Sequence, residues 1–466
     1  MRMGTRDTVR ASWPAPTGPL QRGRVDQTAV RRPAEKSKVP GALWPALFLA
    51  AAWTVAQILA GCGVLPDDLR TSLVFWKNAF GIVFFVACVA ACPAALRLSP
   101  VALCAGAFPV YAAFRLWARN GFDDPLIVLY GAWWFGFFVV APTAFRRRSV
   151  YRTLIAWIAA AALCAIAVGV VLGVMNDQVY WWDHQRIVFS FTNPIYLGYA
   201  GLIVALGGFF LFQRRHRTKT IHRLLMAVGA AVVLGARARN GVLFIVAFGL
   251  TYMVISRRQK LVFATLVALI GLGVSVAVIA NVSDRLDELS SGRLTLWETV
   301  IDENVGELTV SGALFGVGGF QQNMLVSHDT VVADARFARA HSDNAYLDLF
   351  VSLGIIGLLL FIIPLLSVCR GLLVAQRRCN KGDPIERDIR VAVATIVGLL
   401  AQGIVVSNIP SLGNVMNVLG MSLVMAVWGH ACLLPRRTGV RIANPTRVRG
   451  RLPSAPRRAW VPAPSA

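Results

Sequence analysis

Long apolar runs recur along nearly the whole chain, and they constrain its fold more than any other feature. Hydrophobic residues make up 56% of the 466 residues, charged residues only 15%, and the mean hydropathy is +0.60. A helix needs roughly 20 apolar residues to cross a bilayer core about 30 Å thick, and soluble proteins do not bury so large an apolar fraction. The sequence therefore predicts an all-α polytopic membrane protein with about 12 transmembrane helices. The predicted spans are 42–61, 73–95, 100–117, 125–143, 153–175, 194–213, 222–237, 241–256, 261–281, 345–368, 391–409 and 415–434.

The basic residues predict which side of the membrane each end of the chain occupies. Short loops rich in Lys and Arg stay on the cytoplasmic side. Residues 1–40 hold nine Lys and Arg against three acids, and residues 435–466 hold eight Arg and no acid. Both ends are therefore predicted to be basic, disordered cytoplasmic tails. They flank helices 1–9 at 41–281 and helices 10–12 at 345–434.

The net charge of +24 has two possible explanations, nucleic-acid binding and attraction to anionic lipid headgroups. The cations lie in loops that flank the apolar runs and are not interleaved with aromatic residues on one module, which argues against nucleic acid. Anionic membrane lipids are therefore the predicted partners of these loops, and no nucleic acid is expected.

One long connection, at 282–344, separates the ninth and tenth predicted helices. It holds ten Asp and Glu but only four Arg in an otherwise basic chain. The predicted orientation places it outside the cytoplasm as a large periplasmic loop. Its acids follow no calcium-loop or paired-ligand pattern, and no Cys and His spacing suggests zinc. We therefore expect no metal and no cofactor.

Polar motifs occur within this loop and at the helix ends beside it. The loop closes on His341-Ser342-Asp343-Asn344 and opens into an apolar helix. The other elements, in chain order, are Ala238-Arg239-Asn240-Gly241, Gly292-Arg293 with Trp297, Phe315-Gly316-Val317-Gly318 and Gly354-Ile355-Ile356-Gly357. Together they resemble the bacterial O-antigen polymerase and O-antigen ligase superfamily, in detail over residues 190–368.

This resemblance implies a membrane glycosyltransferase that uses undecaprenyl-diphosphate-linked oligosaccharide at the outer face of the bacterial cytoplasmic (inner) membrane. Ligases of the family often carry His immediately before the Asn that opens the helix, whereas Asp343 precedes Asn344 here. That pattern is closer to the polymerase branch, so we expect an O-antigen or exopolysaccharide polymerase acting on a lipid-linked repeat. One alternative is an O-antigen ligase with a lipid A core or another acceptor. A second is a flippase or transporter, although the chain lacks the matching halves common in carriers.

Four residues are predicted to carry the chemistry. Glycan transfer expels a diphosphate, and the planar fork of Arg suits phosphate oxygens, so Arg239 and Arg293 are expected to stabilise the leaving group. The attacking sugar hydroxyl needs a general base, for which His341 and Asp343 are both candidates. A competing interpretation is that Arg239 snorkels at the interface and that the polar run before Ala345 only caps a helix.

Seven further residues are expected to bind substrate. Arg237 is as good a candidate for the diphosphate as its neighbour Arg239, and two arginines of the loop could add phosphate contacts. An aromatic loop before the sixth span could stack on sugars, although interfacial Trp residues more often anchor a chain in the membrane. The set is Asn344, Arg237, Asn193, Arg186, Trp297, Arg336 and Arg339.

Overall fold

A computed structural model gives the fold of most of the apolar part of the chain. It describes residues 39–62, 65–93, 96, 98–120, 131–132, 134–176, 180–182, 186–189, 191, 194–212, 219–236, 238–256, 308–316, 344–379, 382–404 and 415–434. The predicted ninth span at 261–281, the two tails and most of the loop at 282–344 lie outside these residues.

The described residues form helices and one short β-hairpin. The helices are α1 (Trp44–Leu59), α2 (Asp67–Ala91), α3 (Pro100–Asn120), α4 (Ala141–Ala144, entered through a π-helical turn at Gly136–Val140), α5 (Arg148–Met175), α6 (Pro194–Leu211), α7 (Lys219–Gly235), α8 (Arg239–Ile255), α9 (Val310–Phe315), α10 (Ala345–Arg378), α11 (Pro384–Gln402) and α12 (Val415–Ala431). The hairpin pairs β1 (Tyr180–Trp182) with β2 (Arg186–Phe189) in antiparallel register.

Three described helices are long and apolar enough to cross a membrane, namely Gly41–Leu59, Arg148–Met175 and Ala345–Arg378. The shorter apolar helices are Ala79–Ala91, Pro100–Arg115, Tyr196–Leu211, Asn240–Ile255 and Leu419–Ala431. The helical membrane architecture is thus confirmed, whereas the count of about 12 helices and the size of the periplasmic loop stay predictions.

The hairpin is a small departure from the predicted all-α fold. Its strands are rich in aromatic and β-branched residues, which favour an extended pleated backbone. Tyr180 pairs with Phe189 and Trp181 with Ile187, with an irregularity between the two pairs. Cys62, just after α1, forms an isolated antiparallel bridge with Phe191. The segment predicted as an aromatic loop is therefore partly a β-structure beside the end of α1.

Several helices extend beyond their predicted apolar spans into charged sequence. The helix predicted at 391–409 begins instead at Pro384, where the Asp383 carboxylate accepts a hydrogen bond from Ile385 N at 3.3 Å, and ends at Gln402. Likewise α5 begins at Arg148 rather than near 153. A hydropathy argument excludes such charged turns, although they are stable when their charges find partners.

One buried ion cluster provides those partners. The Asp388 carboxylate is 1% exposed and accepts hydrogen bonds from Arg148 Nε at 2.7 Å and Tyr151 Oη at 2.8 Å. Arg152 Nη1 lies 3.8 Å from the same carboxylate. We call Arg148, Tyr151, Arg152 and Asp388 the Asp388 cluster. A buried carboxylate is tolerated only when it is paired and hydrogen-bonded in this way, so the cluster fixes α11 against α5.

Arginines in and near this cluster also donate hydrogen bonds to the last carbonyls of α6. Arg152 Nη2 donates to Leu211 O at 2.8 Å, and Arg387 donates to the carbonyls of Phe209 and Phe212. The final four carbonyls of a helix have no partner within the helix, so such donors stabilise its end. Four helix ends therefore meet here, because Arg390 Nη1 also donates to Ser256 Oγ, just after α8.

Replacing Asp388 with Asn should destabilise the protein strongly. Two half-buried arginines would keep their charge and lose its counter-ion, and breaking a buried ion pair typically costs about 3–5 kcal/mol. The check is the temperature at which detergent-purified protein stops eluting as a single species. Asp67→Asn is the matched control, because its carboxylate is 90% exposed and pairs with Arg70 at the surface, where ion pairs contribute little. Equal loss in both variants would contradict this account.

Candidate active site

The structure describes only part of the predicted site. Asn344 is described in full, whereas Arg239 and Arg186 are described by their backbones, at the start of α8 and of β2. The remaining predicted residues lie outside the described part of the chain, and their roles stay predictions. They are His341, Asp343, Arg293, Arg237, Asn193, Trp297, Arg336 and Arg339.

Asn344 is the N-cap of α10. Its side-chain oxygen accepts hydrogen bonds from Tyr346 N at 3.0 Å and Leu347 N at 3.2 Å. Asp348 N bonds to the Asn344 carbonyl at 2.9 Å, and Ala345 N bonds to Gly403 O at 2.9 Å. The capping interpretation is confirmed for Asn344. Because every N–H of this first turn already has an acceptor, the start of α10 offers no backbone donors to an anion.

Two further polar residues continue the same face of α10. Asp348 and Ser352 follow Asn344 at intervals of four residues, which align side chains along one side of a helix. Asp348 is 6% exposed and Ser352 is 4% exposed, within an otherwise apolar helix. A carboxylate buried in an apolar helix is costly, so it commonly marks function. Asp348 was not among the residues predicted from the sequence, although an acid one helical turn after Asn344 in an apolar stretch indicates a candidate functional residue.

The start of α8 lies at the same end of the bundle as the start of α10. Gly398 of α11 packs against the ring of Phe244 of α8, and Arg390 reaches Ser256 at the opposite end. Helices α8 and α11 are therefore antiparallel, which places the first turn of α8 beside the last turn of α11. Gly403, directly after α11, accepts from Ala345 N. The first turns of α8 and α10 thus adjoin the end of one helix, α11.

Two buried amides occupy this meeting point. Asn240, the second residue of α8, and Gln402, the last residue of α11, are each 3% exposed. Neither Asn240 Nδ2 nor Gln402 Nε2 has a hydrogen-bond acceptor among the described residues. Buried polar groups in proteins are ordinarily paired, so such donors indicate a site for water, a ligand or another polar group. We call Asn240, Asn344, Asp348 and Gln402 the Asn344 cluster.

The charges around the Asn344 cluster are complementary. Arg239 is the first residue of α8, where the aligned peptide dipoles already produce positive potential, and Asp348 lies in the first turn of α10. This end of the bundle therefore combines one cationic helix start with a buried carboxylate and two amide donors. The helix start and the amide donors can bind phosphate or sugar oxygens, whereas the carboxylate can accept hydrogen bonds from sugar hydroxyls. Within the described residues no group of three or more His, Cys, Asp and Glu could hold a metal ion.

A short helix of the predicted loop also packs near this end. Helix α9 is capped by Thr309, whose hydroxyl accepts from Gly312 N at 3.2 Å. Its end at Gly316 lies against α10 at Gly354, where α10 is kinked. Part of the segment 282–344 therefore forms a tight contact with the helix that carries Asn344 and Asp348.

The fold and this polar end define a helical membrane protein with a candidate active site at one end of its apolar bundle. No curated protein matches the chain. Residues 224–362 match the family model described as O-antigen ligase. This match to part of the chain supports the resemblance to the O-antigen polymerase and ligase superfamily that the motifs indicate. The family implies a lipid-linked glycan and an acceptor as partners in general terms.

The matched segment contains three of the four residues of the Asn344 cluster and leaves out Gln402. It also contains Arg239 and the α9 contact with Gly354. The polar end of the bundle and the family domain thus coincide. Asn240 and Gln402 were absent from the sequence-based site because only the antiparallel packing of α8 on α11 brings their two amides to one end.

The capping geometry predicts how Asn344 responds to substitution. Asn344→Ala removes the acceptor of two backbone N–H groups and should cost about 1 kcal/mol of stability. Asn344→Ser keeps an acceptor and should melt close to the wild type. The measurement is thermal unfolding of both variants in the same detergent. If Asn344→Ser retains stability but loses all glycan transfer, Asn344 acts on substrate as well as capping α10.

Proposed function

We propose that the protein is an O-antigen or exopolysaccharide polymerase of the bacterial cytoplasmic membrane. It transfers an undecaprenyl-diphosphate-linked oligosaccharide onto a sugar hydroxyl of another lipid-linked chain. The observation that carries this proposal is the coincidence of the family domain at residues 224–362 with the buried polar cluster around Asn344. The polymerase assignment rests on Asp343, which stands before Asn344 where family ligases often have His.

The proposed reaction needs a base for the acceptor and cations for the leaving group. The acceptor oxygen attacks the anomeric carbon, the bond from that carbon to the phosphate oxygen breaks, and undecaprenyl diphosphate leaves. His341 or Asp343 takes the proton of the attacking hydroxyl. Arg239 and Arg293 bind the diphosphate oxygens, with Arg237, Arg336 and Arg339 as further cations. Asn193, Arg186 and Trp297 contact the glycan.

The Asn344 cluster, which the structure describes, supports this scheme. The helix start at Arg239 gives positive potential where a diphosphate would bind. The amides of Asn240 and Gln402 provide donors that suit sugar hydroxyls or phosphate oxygens, since an amide pairs with either. Asn344, which directly follows the proposed base Asp343 in the sequence, sets through its cap where α10 begins.

Ligase activity is the second candidate, and the description of the matching family favours it. A ligase would use the same donor and the same cations but transfer the glycan to a lipid A core or another acceptor. The two activities therefore differ in the acceptor and not in the chemistry of the leaving group. Supplying acceptors one at a time separates them.

Orientation belongs to the same proposal. The basic tails would lie in the cytoplasm and the Asn344 cluster at the periplasmic side, where undecaprenyl-linked repeats are assembled into long chains. The Asp388 cluster, at the other ends of α8 and α11, would then face the cytoplasm, and the sequence after α6 and after α8 is basic at 214–219 and 257–260. This arrangement agrees with the bias of Lys and Arg toward cytoplasmic loops.

The direct test incubates purified protein with a lipid-diphosphate-linked oligosaccharide and no second acceptor, and follows chain length on a gel. The wild type should give a ladder. His341→Ala and Arg239→Ala should each lower the rate at least about 100-fold, because a general base and a diphosphate contact typically contribute that much. Arg239→Lys should recover only part of the rate, since Lys lacks the planar fork.

Arg70→Gln is the matched control, because it removes a cation that pairs with Asp67 at the surface. It should elongate at the wild-type rate. A wild type that transfers glycan only after lipid A core is added would establish a ligase instead. No transfer with any acceptor would exclude the proposed enzyme, and loss of activity in Arg70→Gln would show that the arginine effects are not specific.

The proposal also predicts activity without a divalent metal. If arginines neutralise the diphosphate, then a chelator should leave the rate within about twofold of its starting value, because Arg keeps its charge at every accessible pH. The measurement is the initial rate of chain elongation with and without excess EDTA. A loss that returned on adding magnesium or manganese would overturn the metal-independent mechanism while leaving the transferase itself in place.

A further inference from the structure

The kink in α10 divides the helix into two halves. Gly354 has φ +67° and ψ −174°, a backbone conformation that is essentially restricted to glycine. Residues 345–353 therefore form a separate half-helix that carries Asn344 at its start and Asp348 on its buried face. The direction of this half-helix depends on whatever holds the kink, because the regular hydrogen-bond ladder is interrupted there.

A second glycine from the predicted loop packs directly on this kink. Gly316 also has a positive φ, +77°, and directly follows α9. A Cβ added to Gly316 would overlap the carbonyl of Ser352, and a Cβ added to Gly354 would overlap the carbonyl of Leu314. The two backbones are therefore in direct contact, and neither glycine can be replaced without separating them.

Two side chains of helix α3 form hydrogen bonds with both segments of this contact. The Tyr111 hydroxyl lies 3.0 Å from Leu353 O and 3.2 Å from Phe315 O, and Arg115 Nη2 donates to Gly316 O at 2.7 Å. Tyr111 and Arg115 are one helical turn apart, so their side chains lie on the same face of α3. Carbonyls that the kink and the end of α9 leave without helical partners thus receive donors from α3, as an apolar surrounding requires.

We propose that Tyr111 and Arg115 are positioning residues, which fix the segment 310–316 on the Gly354 kink and thereby aim the half-helix 345–353 that carries Asn344 and Asp348. The inference rests on the proposed glycan transfer at the Asn344 end of that half-helix. It extends the site to α3, which lies outside the matched family domain. Neither residue is assigned a contact with substrate.

The alternative is that these hydrogen bonds only stabilise the fold. The positioning hypothesis and the structural hypothesis predict different effects of a mild substitution on kcat and on stability. Misdirection of a reacting group by about 1 Å can lower a rate about 100-fold without weakening substrate binding. A positioning role therefore predicts a loss in kcat with KM nearly constant in a protein that remains folded. A purely structural role predicts a lower unfolding temperature and unchanged kcat in the folded fraction.

The experiment compares Tyr111→Phe and Arg115→Lys with the wild type in full-length protein. Tyr111→Phe removes one hydroxyl, and Arg115→Lys keeps the charge but loses the planar fork. Val110→Ala is the matched control, because Val110 adjoins Tyr111 and is 70% exposed. The readouts are kcat and KM for chain elongation, or for transfer to an added acceptor if the protein is a ligase, together with amide hydrogen exchange of peptides that cover 310–316 and 345–353.

The expected result is exchange at least tenfold faster in both peptides for Tyr111→Phe and Arg115→Lys, with kcat at least tenfold lower, KM within twofold and the control unchanged. Wild-type exchange in these variants overturns the proposal. Faster exchange with wild-type kcat, or a rise in KM alone, overturns it too. Gly354→Ala should give the same pattern more strongly. If the wild type transfers nothing to any acceptor, the proposed function fails, and exchange alone decides whether α3 holds the kink.

Discussion

A polar group among the apolar helices of this chain is costly unless it finds a partner inside the protein, and that constraint shapes both ends of the bundle. At one end, Asp388 is stable at 1% exposure because Arg148 and Tyr151 hydrogen-bond to it. At the other end of the bundle, Asn344 and Gly403 accept hydrogen bonds from the first N–H groups of α10. The kink at Gly354 is tolerated for the same reason, since α3 supplies its donors.

The two ends satisfy this constraint in different ways. Around Asp388 the buried carboxylate is paired with Arg148 and Arg152, and Arg152 and Arg387 donate to the terminal carbonyls of α6, so that end behaves as a structural joint between α5, α6, α8 and α11. Around Asn344, by contrast, the amides of Asn240 and Gln402 lack an acceptor among the described residues. Two such amide donors beside a helix start favour ligand binding at that end more than a buried carboxylate with its counter-ions does.

Helix kinks and caps connect the local sequence to the proposed chemistry. Asn344 fixes the first residue of α10, and Gly354 fixes where its first half ends. The half-helix between them is short, so a modest change at either end would redirect Asp348. A membrane enzyme that activates a sugar hydroxyl needs such fixed geometry because the orientation of reacting groups contributes much of the rate.

The helical membrane architecture, the cap at Asn344 and the resemblance to the O-antigen superfamily can be predicted from the sequence alone, because apolar runs, capping residues and short motifs are local properties of the chain. The sequence-based prediction misjudged helix limits where charged turns at Arg148 and Asp388 pair with each other, and it missed the hairpin and the amides of Asn240 and Gln402. Those features depend on antiparallel packing of residues distant in sequence. Only the tertiary structure brings two amides to one end of the bundle or presses Gly316 onto Gly354, since such contacts depend on how helices cross and not on the order of residues within them.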